Sequence, residues 1–267
     1  MNDIVLPRVG YGTWKLPMSE ETSIAVLDAL DLGYRHIDTA AAYANESYIR
    51  DGIKKSSILR EDIYVSGKLW NSKRTYEKAI KACKRTIKNL GLDYLDMYLI
   101  HWVETPEDSE NWEENNLDTW RALEHLKKEG LVKSIGVSNC DYEQLASLIR
   151  FSNVKPALNQ IEFHCGCNQD EIINYCNKKN IKVEGWSPLG NGNLLNNPII
   201  KDVSVKYNKS PAQICIRWCL QHNVTPITKS INQIRMQENL NVYDFNLDEK
   251  DMILLNNIHE SRVEITL

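Results

Sequence analysis

Four side chains that can hold or move a proton follow three consecutive apolar or β-branched segments of the chain. Asp38 ends the first segment and Tyr43 lies five residues further on, whereas Lys68 follows the second segment and His101 the third. If these segments are parallel strands, an acid, a phenol, an amine and an imidazole meet at the edge formed by the carboxyl ends of the strands. Such a set suits a reaction in which a bound molecule must gain or lose a proton.

Reduction of a carbonyl by hydride is one reaction that needs such groups, because the alkoxide that develops needs a proton donor. The phenol of Tyr43 has an ordinary pKa of about 10, and we expect the ammonium of Lys68 to lower it. A partly buried Lys68 needs an anionic partner, for which Asp38 is well placed. His101 would orient the substrate oxygen or join the proton relay. Singly, Asp38 could cap a helix, Tyr43 pack and Lys68 be a surface charge; together, they favour the catalytic interpretation.

The elements that must position these groups alternate along the chain: short β-branched segments are followed by amphipathic stretches. We predict strands at residues 8–12, 34–38, 63–66, 95–100, 132–137, 156–160, 182–186 and 224–227. Helices are predicted at 19–32, over a stretch that includes residues 48 and 53, at 76–90, 116–129, 141–150 and 170–177, from 210 onwards, and at 233–240. A Gly/Asn/Pro-rich loop is predicted before residue 210. Eight β-then-α units predict the α/β class and a (β/α)8 TIM barrel, with residues 1–267 as a single domain.

Composition excludes several classes of function. A chain of 267 residues suits one such barrel, and its net charge of −4 argues against a nucleic-acid partner or an anionic membrane surface. No apolar run reaches the ~20 residues of a membrane span. Because residues 1–8 lack a basic segment followed by an apolar one, we expect no signal peptide and a cytoplasmic protein.

The cysteines predict reduced thiols and no metal. Seven cysteines without CxxC spacing fit a cytosolic protein better than a disulfide framework. The run His164-Cys165-Gly166-Cys167 resembles part of a metal site, but no second ligand pair with suitable spacing follows it, so we interpret it as structural.

A dinucleotide site is predicted on the loops after strands seven and eight. The chain has no GxGxxG that opens a βαβ unit, so a Rossmann site is excluded. In barrels these two loops commonly bind phosphate, often at a helix N-terminus. Here they supply Ser187, Leu189, Lys229, Ser230 and, in the helix that follows, Arg235. Two cations and a hydroxyl at a helix N-terminus suit an adenosine 2′-phosphate, which favours NADPH over NADH.

Many segments, spaced in order from about residue 6 to about residue 245, resemble the aldo-keto reductase family. They include Gly10-Tyr11-Gly12-Thr13-Trp14, the run from Ile37 to Glu46, Gly67-Lys68-Leu69-Trp70-Asn71, Tyr98-Leu99-Ile100-His101-Trp102, Ile135-Gly136-Val137-Ser138-Asn139, Asn159-Gln160-Ile161-Glu162, Trp186-Ser187-Pro188-Leu189-Gly190, and Lys229-Ser230 with Arg235. The resemblance indicates a bacterial-type small aldehyde or ketone reductase that uses NADPH/NADP+.

The resemblance also implies roles for individual residues. It implies that Asp38, Tyr43, Lys68 and His101 form a catalytic tetrad with Tyr43 as proton donor. It implies that Ser138, Asn139 and Gln160 hold the nicotinamide carboxamide and that Trp186 stacks on the ring where the family most often has Tyr. Thr13 and Trp14 are further cofactor candidates, and Glu238 and Asn239 resemble the family's adenine contacts. We expect Trp14, Trp70 and Trp102 to line an aromatic substrate pocket and Trp112 to close one side, whereas Trp120 and Trp218 are expected to pack.

Two other functions remain open to the sequence: a nucleotide-sensing binding module that turns over little, and a metal-dependent barrel hydrolase. The intact tetrad argues against the first, and the lack of a His/Asp ligand set argues against the second. The expected partner is a small carbonyl compound, with the protein a monomer or weak oligomer.

Overall fold

A computed structural model describes residues 4–103 and 111–259 of the chain, and their backbone forms a closed barrel of eight parallel strands. Each strand pairs with the next in the chain, and β8 pairs with β1. The predicted (β/α)8 barrel is therefore confirmed. The strands are β1 Gly10–Gly12, β2 His36–Asp38, β3 Tyr64–Leu69, β4 Leu95–Ile100, β5 Val132–Ser138, β6 Leu158–Glu162, β7 Lys182–Trp186 and β8 Thr225–Thr228.

Helices surround the barrel and bury their apolar faces against the outer surface of the strands. They are α1 Glu20–Asp31, α2 Glu46–Lys55, α3 Tyr76–Leu90, α4 Trp112–Lys128, α5 Tyr142–Phe151, α6 Asp170–Lys178, α7 Pro198–Tyr207, α8 Pro211–Gln221, α9 Gln233–Leu240 and α10 Glu249–Asn256. The helix starts predicted at Asp141 and Ser210 are present, and each of these residues forms a capping box. None of these helices is long and apolar enough to cross a membrane.

The connection after β7 was predicted to be a loop, and this prediction is wrong. It contains short 3-10 turns over Gly190–Asn196 and then α7. The side chain of Asn197 accepts hydrogen bonds from the first turn of α7, and Pro198 begins the helix. Asn followed by Pro is found at helix starts as well as in loops, and Asn197-Pro198 was interpreted as part of a loop. Helix α10, capped by Asp248, was also not predicted.

The interior of the barrel changes from apolar to polar along its axis. Near the amino ends of the strands, Ile4 and Leu6 pack against a small apolar cluster that includes Met97 and Leu158. Above that cluster lie six polar residues, each of which is at most 4% exposed as a whole residue: His36, Asp38, Ser66, Lys68, Gln160 and Glu184. Because barrel interiors are usually filled by branched apolar residues, this buried polar column points to the end of the barrel where the chemistry takes place.

Candidate active site

A cavity of about 1010 Å³ opens at the carboxyl ends of the strands. Its lining includes the last residue of five strands: Gly12, Asp38, Ser138, Trp186 and Thr228. The volume is at the top of the range of roughly 300–1,000 Å³ that is usual for small-molecule sites. The cavity therefore has room for a large cofactor together with a small substrate.

The four predicted catalytic residues lie together at the base of this cavity. Asp38, Tyr43 and His101 line it, and Lys68 lies beneath them, 1% exposed. The Nζ of Lys68 donates a hydrogen bond of 2.5 Å to Oδ2 of Asp38 and one of 3.5 Å to the hydroxyl of Tyr43. Because an ammonium only donates, the Tyr43 oxygen accepts, and its own O–H is left for another partner.

The charge states of the tetrad follow from burial and from the short Lys68–Asp38 contact. Burial alone would raise the pKa of Asp38, but the charge of Lys68 holds this pKa below its ordinary value. Burial alone would lower the pKa of Lys68, but Asp38 raises it, so the pair is ionised. Burial, followed by the charge of Lys68, lowers the pKa of His101 to about 3, so its imidazole is neutral at pH 7.

The pKa of Tyr43 differs from the sequence prediction. Lys68 does lower this pKa, as expected, but burial raises it more, and Asp38 also raises it. The net shift of the Tyr43 pKa is upward, so the predicted lowering is wrong. The sequence placed Lys68 and Tyr43 correctly, but it contained no measure of how deeply the phenol is buried.

A second set of polar residues supports Asp38 from inside the barrel. Oδ1 of Asp38 accepts hydrogen bonds from Oγ of Ser66 at 2.8 Å and from Nε2 of Gln160 at 2.9 Å. The same Gln160 nitrogen donates to Oε2 of Glu184 at 2.8 Å. Sequence reasoning missed Ser66, Glu184 and the neighbouring His36. The available signal was period-two spacing, since residues 36 and 38, 66 and 68, and 184 and 186 point to the same side of their strands.

The residues predicted to hold a nicotinamide ring all line the cavity. Trp186, the last residue of β7, donates from its indole nitrogen to Oδ1 of Asn139 at 2.8 Å. Nδ2 of Asn139 donates to the carbonyl of His101 at 3.1 Å, and Ser138 donates to the carbonyl of Gln160 at 2.8 Å. These bonds fix the edge of the indole relative to the tetrad, while half-burial leaves part of the ring open to the cavity.

The residues predicted to bind phosphate and adenine line the outer part of the same cavity. Lys229 and Arg235 are exposed, and Asn232 caps α9 through a 3.1 Å bond from the backbone N–H of Arg235. Ser187, Leu189, Ser230, Glu238 and Asn239 complete the predicted set.

Further lining residues were not predicted to belong to the site. They include Lys15 and the start of α8, namely Ser210, Pro211 and Ala212. The helix start was predicted, but its position beside the cavity depends on how the β7–α8 connection folds. Two helix N-termini thus face one cavity, an arrangement that favours anions.

Three of the tryptophans expected at the substrate pocket line the cavity: Trp14, Trp70 and Trp102. The ring of Trp70 contacts that of His101 edge to face, with centroids 5.3 Å apart. Trp120 and Trp218 are buried in the main core, as predicted.

Two residues lie elsewhere than expected. Thr13 is fully buried and does not line the cavity; its hydroxyl donates to the backbone carbonyl of Asp38 at 3.0 Å. Its contact therefore holds β2 next to β1. Trp112 was expected to close one side of the pocket from a loop, but it is the first residue of α4 and packs against the main core. The helix begins four residues earlier than predicted, at residue 112 instead of 116, and Trp112 is not among the residues that line the cavity.

The segment after β6 that resembled part of a metal site is compact and buried. Ligand atoms of Glu162, His164 and Cys167 lie within 4.8 Å of one another. Nδ1 of His164 donates to the carbonyl of Cys165 at 2.9 Å, and Nε2 lies 3.2 Å from Oε1 of Glu162. Hydrogen bonding within the segment fits a structural role, and the absence of a metal stays a prediction. All seven cysteines are buried free thiols, as expected.

A family model for the aldo/keto reductases matches residues 8–260. The chain belongs to the aldo/keto reductase family. It is therefore an oxidoreductase of a family that uses a nicotinamide cofactor and acts on small carbonyl compounds.

Relatives of this aldo/keto reductase are similar over nearly their whole lengths. The 9,11-endoperoxide prostaglandin H2 reductase of Trypanosoma cruzi is 40% identical over 98% of this chain and 90% of its own length. The glyoxal reductase of Bacillus subtilis is 41% identical over 94% of this chain and 88% of its own. Among solved structures, an aldo-keto reductase from a Medee basin deep-sea metagenome library superposes with a TM-score of 0.90 at 38% identity, covering 99% of this chain and 97% of that one. A Bombyx mori aldo-keto reductase in complex with NADP gives a TM-score of 0.86 at 33% identity, covering 94% and 88%.

Proposed function

We propose that this aldo/keto reductase uses NADPH to reduce an aldehyde or ketone to the corresponding alcohol, with Tyr43 as the proton donor. The observation that carries the proposal is the position of the Tyr43 hydroxyl at the base of the cavity. Lys68 donates to its oxygen, so its proton is available to a molecule in the cavity. The names of the relatives, a glyoxal reductase and a prostaglandin H2 reductase, support reduction of a small oxygenated compound.

The lining of the cavity fits NADPH. When bound, the dihydronicotinamide supplies the hydride. Trp186, Ser138, Asn139 and Gln160 would hold the nicotinamide, with Trp14 beside it. Ser187, Leu189 and the start of α8 would hold the pyrophosphate, and Glu238 and Asn239 the adenine. Lys229, Ser230 and Arg235 would hold the 2′-phosphate, because they place two cations and a hydroxyl at the capped N-terminus of α9. The NADP complex of the Bombyx mori relative supports the same preference.

The tetrad divides the proton transfer among its members. Tyr43 gives its proton to the developing alkoxide, and the ammonium of Lys68 stabilises the phenolate that remains. Asp38 keeps Lys68 charged although it is buried. His101 is neutral, so it can donate an N–H to the substrate oxygen without adding a charge.

The substrate is a small or medium carbonyl compound with an apolar body. Trp14, Trp70 and Trp102 present aromatic surface beside the few polar groups of the tetrad. We further propose that residues 1–267 form a single domain that is a monomer or weak oligomer, which analytical ultracentrifugation would test.

The proposed function is tested by measuring the consumption of NADPH, monitored through the absorbance of NADPH, with a panel of aldehydes, α-dicarbonyls, keto sugars and bulkier ketones. We expect turnover with several small carbonyls and no change after treatment with a chelator. Binding of NADPH without turnover of any compound would favour a nucleotide-sensing module. Loss of activity after chelation would favour metal-dependent chemistry.

A further inference from the structure

Two fully buried ionisable side chains below the tetrad take no part in the mechanism above. His36 on β2 and Glu184 on β7 are each 0% exposed. Nδ1 of His36 lies 3.6 Å from Oε1 of Glu184, and neither atom has a hydrogen-bond partner among the described residues. Two unpartnered polar atoms that face each other inside a barrel carry an energetic cost unless a proton lies between them.

The hydrogen bonds around His36 determine which of its nitrogens carries a proton. The carboxylate of Asp38 can only accept, so Ser66, at 2.8 Å, must donate its hydroxyl proton to it. The oxygen of Ser66 must then accept from Nε2 of His36, at 3.2 Å. A neutral His36 thus has its proton on Nε2, and its Nδ1 presents a lone pair to Glu184.

A lone pair facing an ionised carboxylate would be repulsive, so one proton must reside on the pair. Burial lowers the pKa of His36 to about 4, which disfavours an imidazolium. Burial, with the nearby charge of Asp38, raises the pKa of Glu184 to about 8. Both directions place the proton on Glu184 at neutral pH, where its Oε1 faces Nδ1 of His36 at 3.6 Å.

The other oxygen of Glu184 connects this pair to the cavity. Oε2 of Glu184 accepts a hydrogen bond from Nε2 of Gln160 at 2.8 Å, and the same nitrogen donates its second hydrogen to Oδ1 of Asp38. With both hydrogens of Nε2 bonded inside the barrel, Gln160 presents its carbonyl oxygen to the cavity that it lines. We propose that Glu184 is a neutral carboxylic acid that acts as a positioning residue: it fixes the carboxamide of Gln160 so that an acceptor faces the cofactor. This inference rests on the proposed function, since it assigns Gln160 to nicotinamide binding.

A pair of substitutions at one position tests the positioning role. Glu184→Gln keeps an acceptor for Gln160 and a donor for His36, whereas Glu184→Leu removes both. We expect Glu184→Leu to weaken NADPH binding about tenfold, the effect of one unmade buried hydrogen bond, and Glu184→Gln to restore the affinity to within about threefold of wild type. Titration of the quenching of tryptophan fluorescence by NADPH measures the Kd without turnover.

A double-mutant cycle shows whether the effect passes through Gln160. In a Gln160→Leu background, Glu184→Leu should cause no further loss of affinity, because the group that it orients is already absent. Additive losses would overturn the positioning role. Equal affinities of wild type and Glu184→Leu would overturn it too, while leaving the proposed function intact. Failure of wild type to bind any nicotinamide nucleotide would overturn both.

The protonation of Glu184 is tested on the apoprotein. A difference infrared spectrum of wild type minus Glu184→Gln at pH 7 should contain the C=O stretch of a neutral acid; carboxylate bands instead would overturn the neutral assignment. The pH dependence of unfolding gives a second measurement. Because the folded pKa of Glu184 is raised, the folded state binds more protons than the unfolded state from pH 6.5 to 8, and stability falls as pH rises. The unfolding constant of wild type relative to Glu184→Gln should therefore increase, by up to tenfold per pH unit.

The charged and titratable groups that face Glu184 limit this pH window. They are His36 and Asp38 on β2 and Lys68 and Tyr64 on β3; the flanking strands β6 and β8 contribute the uncharged Gln160 and Thr225. His36, with its lowered pKa, acts in the opposite direction below pH 6.5, so only the range above that value isolates Glu184. If the unfolding constant of wild type relative to that of Glu184→Gln did not change between pH 6.5 and 8, the proposal would be overturned.

Discussion

Lys68 and Asp38 form an ion pair of 2.5 Å inside the barrel, and their side chains are only 1% and 5% exposed. The second carboxylate oxygen of Asp38 accepts from Ser66 and Gln160, so the negative charge is fully hydrogen-bonded. Breaking such a pair costs more than its formation contributes, because the remaining charge stays buried without a partner. The pair therefore couples the stability of the barrel to the charge that the proposed proton transfer requires.

Asp38→Asn is expected to destabilise the protein by about 3–5 kcal/mol, since it leaves the ammonium of Lys68 without a counter-ion. Urea unfolding at pH 7 measures the loss. Asp62→Asn, at an exposed carboxylate, is the control and should change the free energy of unfolding by less than about 0.5 kcal/mol. If the two variants were equally stable, the pair would not have the structural importance assigned to it here.

Tyr43→Phe is expected to reduce turnover by about 10²–10⁴-fold, because it removes the proposed proton donor and leaves the ring in place. The Kd for NADPH should change little, since this hydroxyl bonds to Lys68 and belongs to none of the groups assigned to the cofactor. Steady-state rates and fluorescence titration measure the two effects separately. Tyr48→Phe on α2, outside the cavity lining, is the matched control. Normal turnover of Tyr43→Phe would remove Tyr43 from its role.

The arrangement of strands and the rim residues could be predicted because they depend on local pattern. Eight alternating segments determine a barrel, and the barrel then places Asp38, Lys68 and His101 at one edge whatever the details of the helices. The start of α7 was missed because Asn197-Pro198 is compatible with both a loop and a capped helix. The pattern alone does not choose between them.

The parts of the site that were missed depend on burial and on contacts between distant strands. The sequence does not show that Glu184 lies against Gln160 and His36, which are 24 and 148 positions away in the chain. The direction of the Tyr43 pKa shift depends on a balance between desolvation and the charge of Lys68. Such a balance is set by the three-dimensional packing and not by spacing.

Arg235→Ala is expected to weaken NADPH binding at least tenfold and NADH binding by less than about twofold, since a guanidinium pairs with a phosphate that only NADPH carries. Titration with each nucleotide measures the ratio. Lys78→Ala, which removes an exposed positive charge from α3 outside the cavity lining, controls for the change in net charge. Equal losses for the two nucleotides would contradict the assignment of the 2′-phosphate to this part of the cavity.

His101 is expected to make the stability of the protein depend on pH in acid. Its folded pKa is lowered to about 3, whereas an unfolded histidine titrates near about 6.5. Between these values the unfolded state binds a proton that the folded state does not, so stability falls as pH falls from 6.5 towards 3. His101→Gln removes this term, and the free energy of unfolding of wild type relative to the variant should fall by up to about 1.4 kcal/mol per pH unit below pH 6.5. Urea unfolding at pH 8, where His101 is neutral in the folded and in the unfolded protein, supplies the baseline for the comparison of wild type with His101→Gln. A difference that stays constant from pH 8 to pH 4.5 would mean that His101 takes up a proton as readily in the folded protein as in the unfolded chain, and it would contradict the lowered pKa assigned to this imidazole.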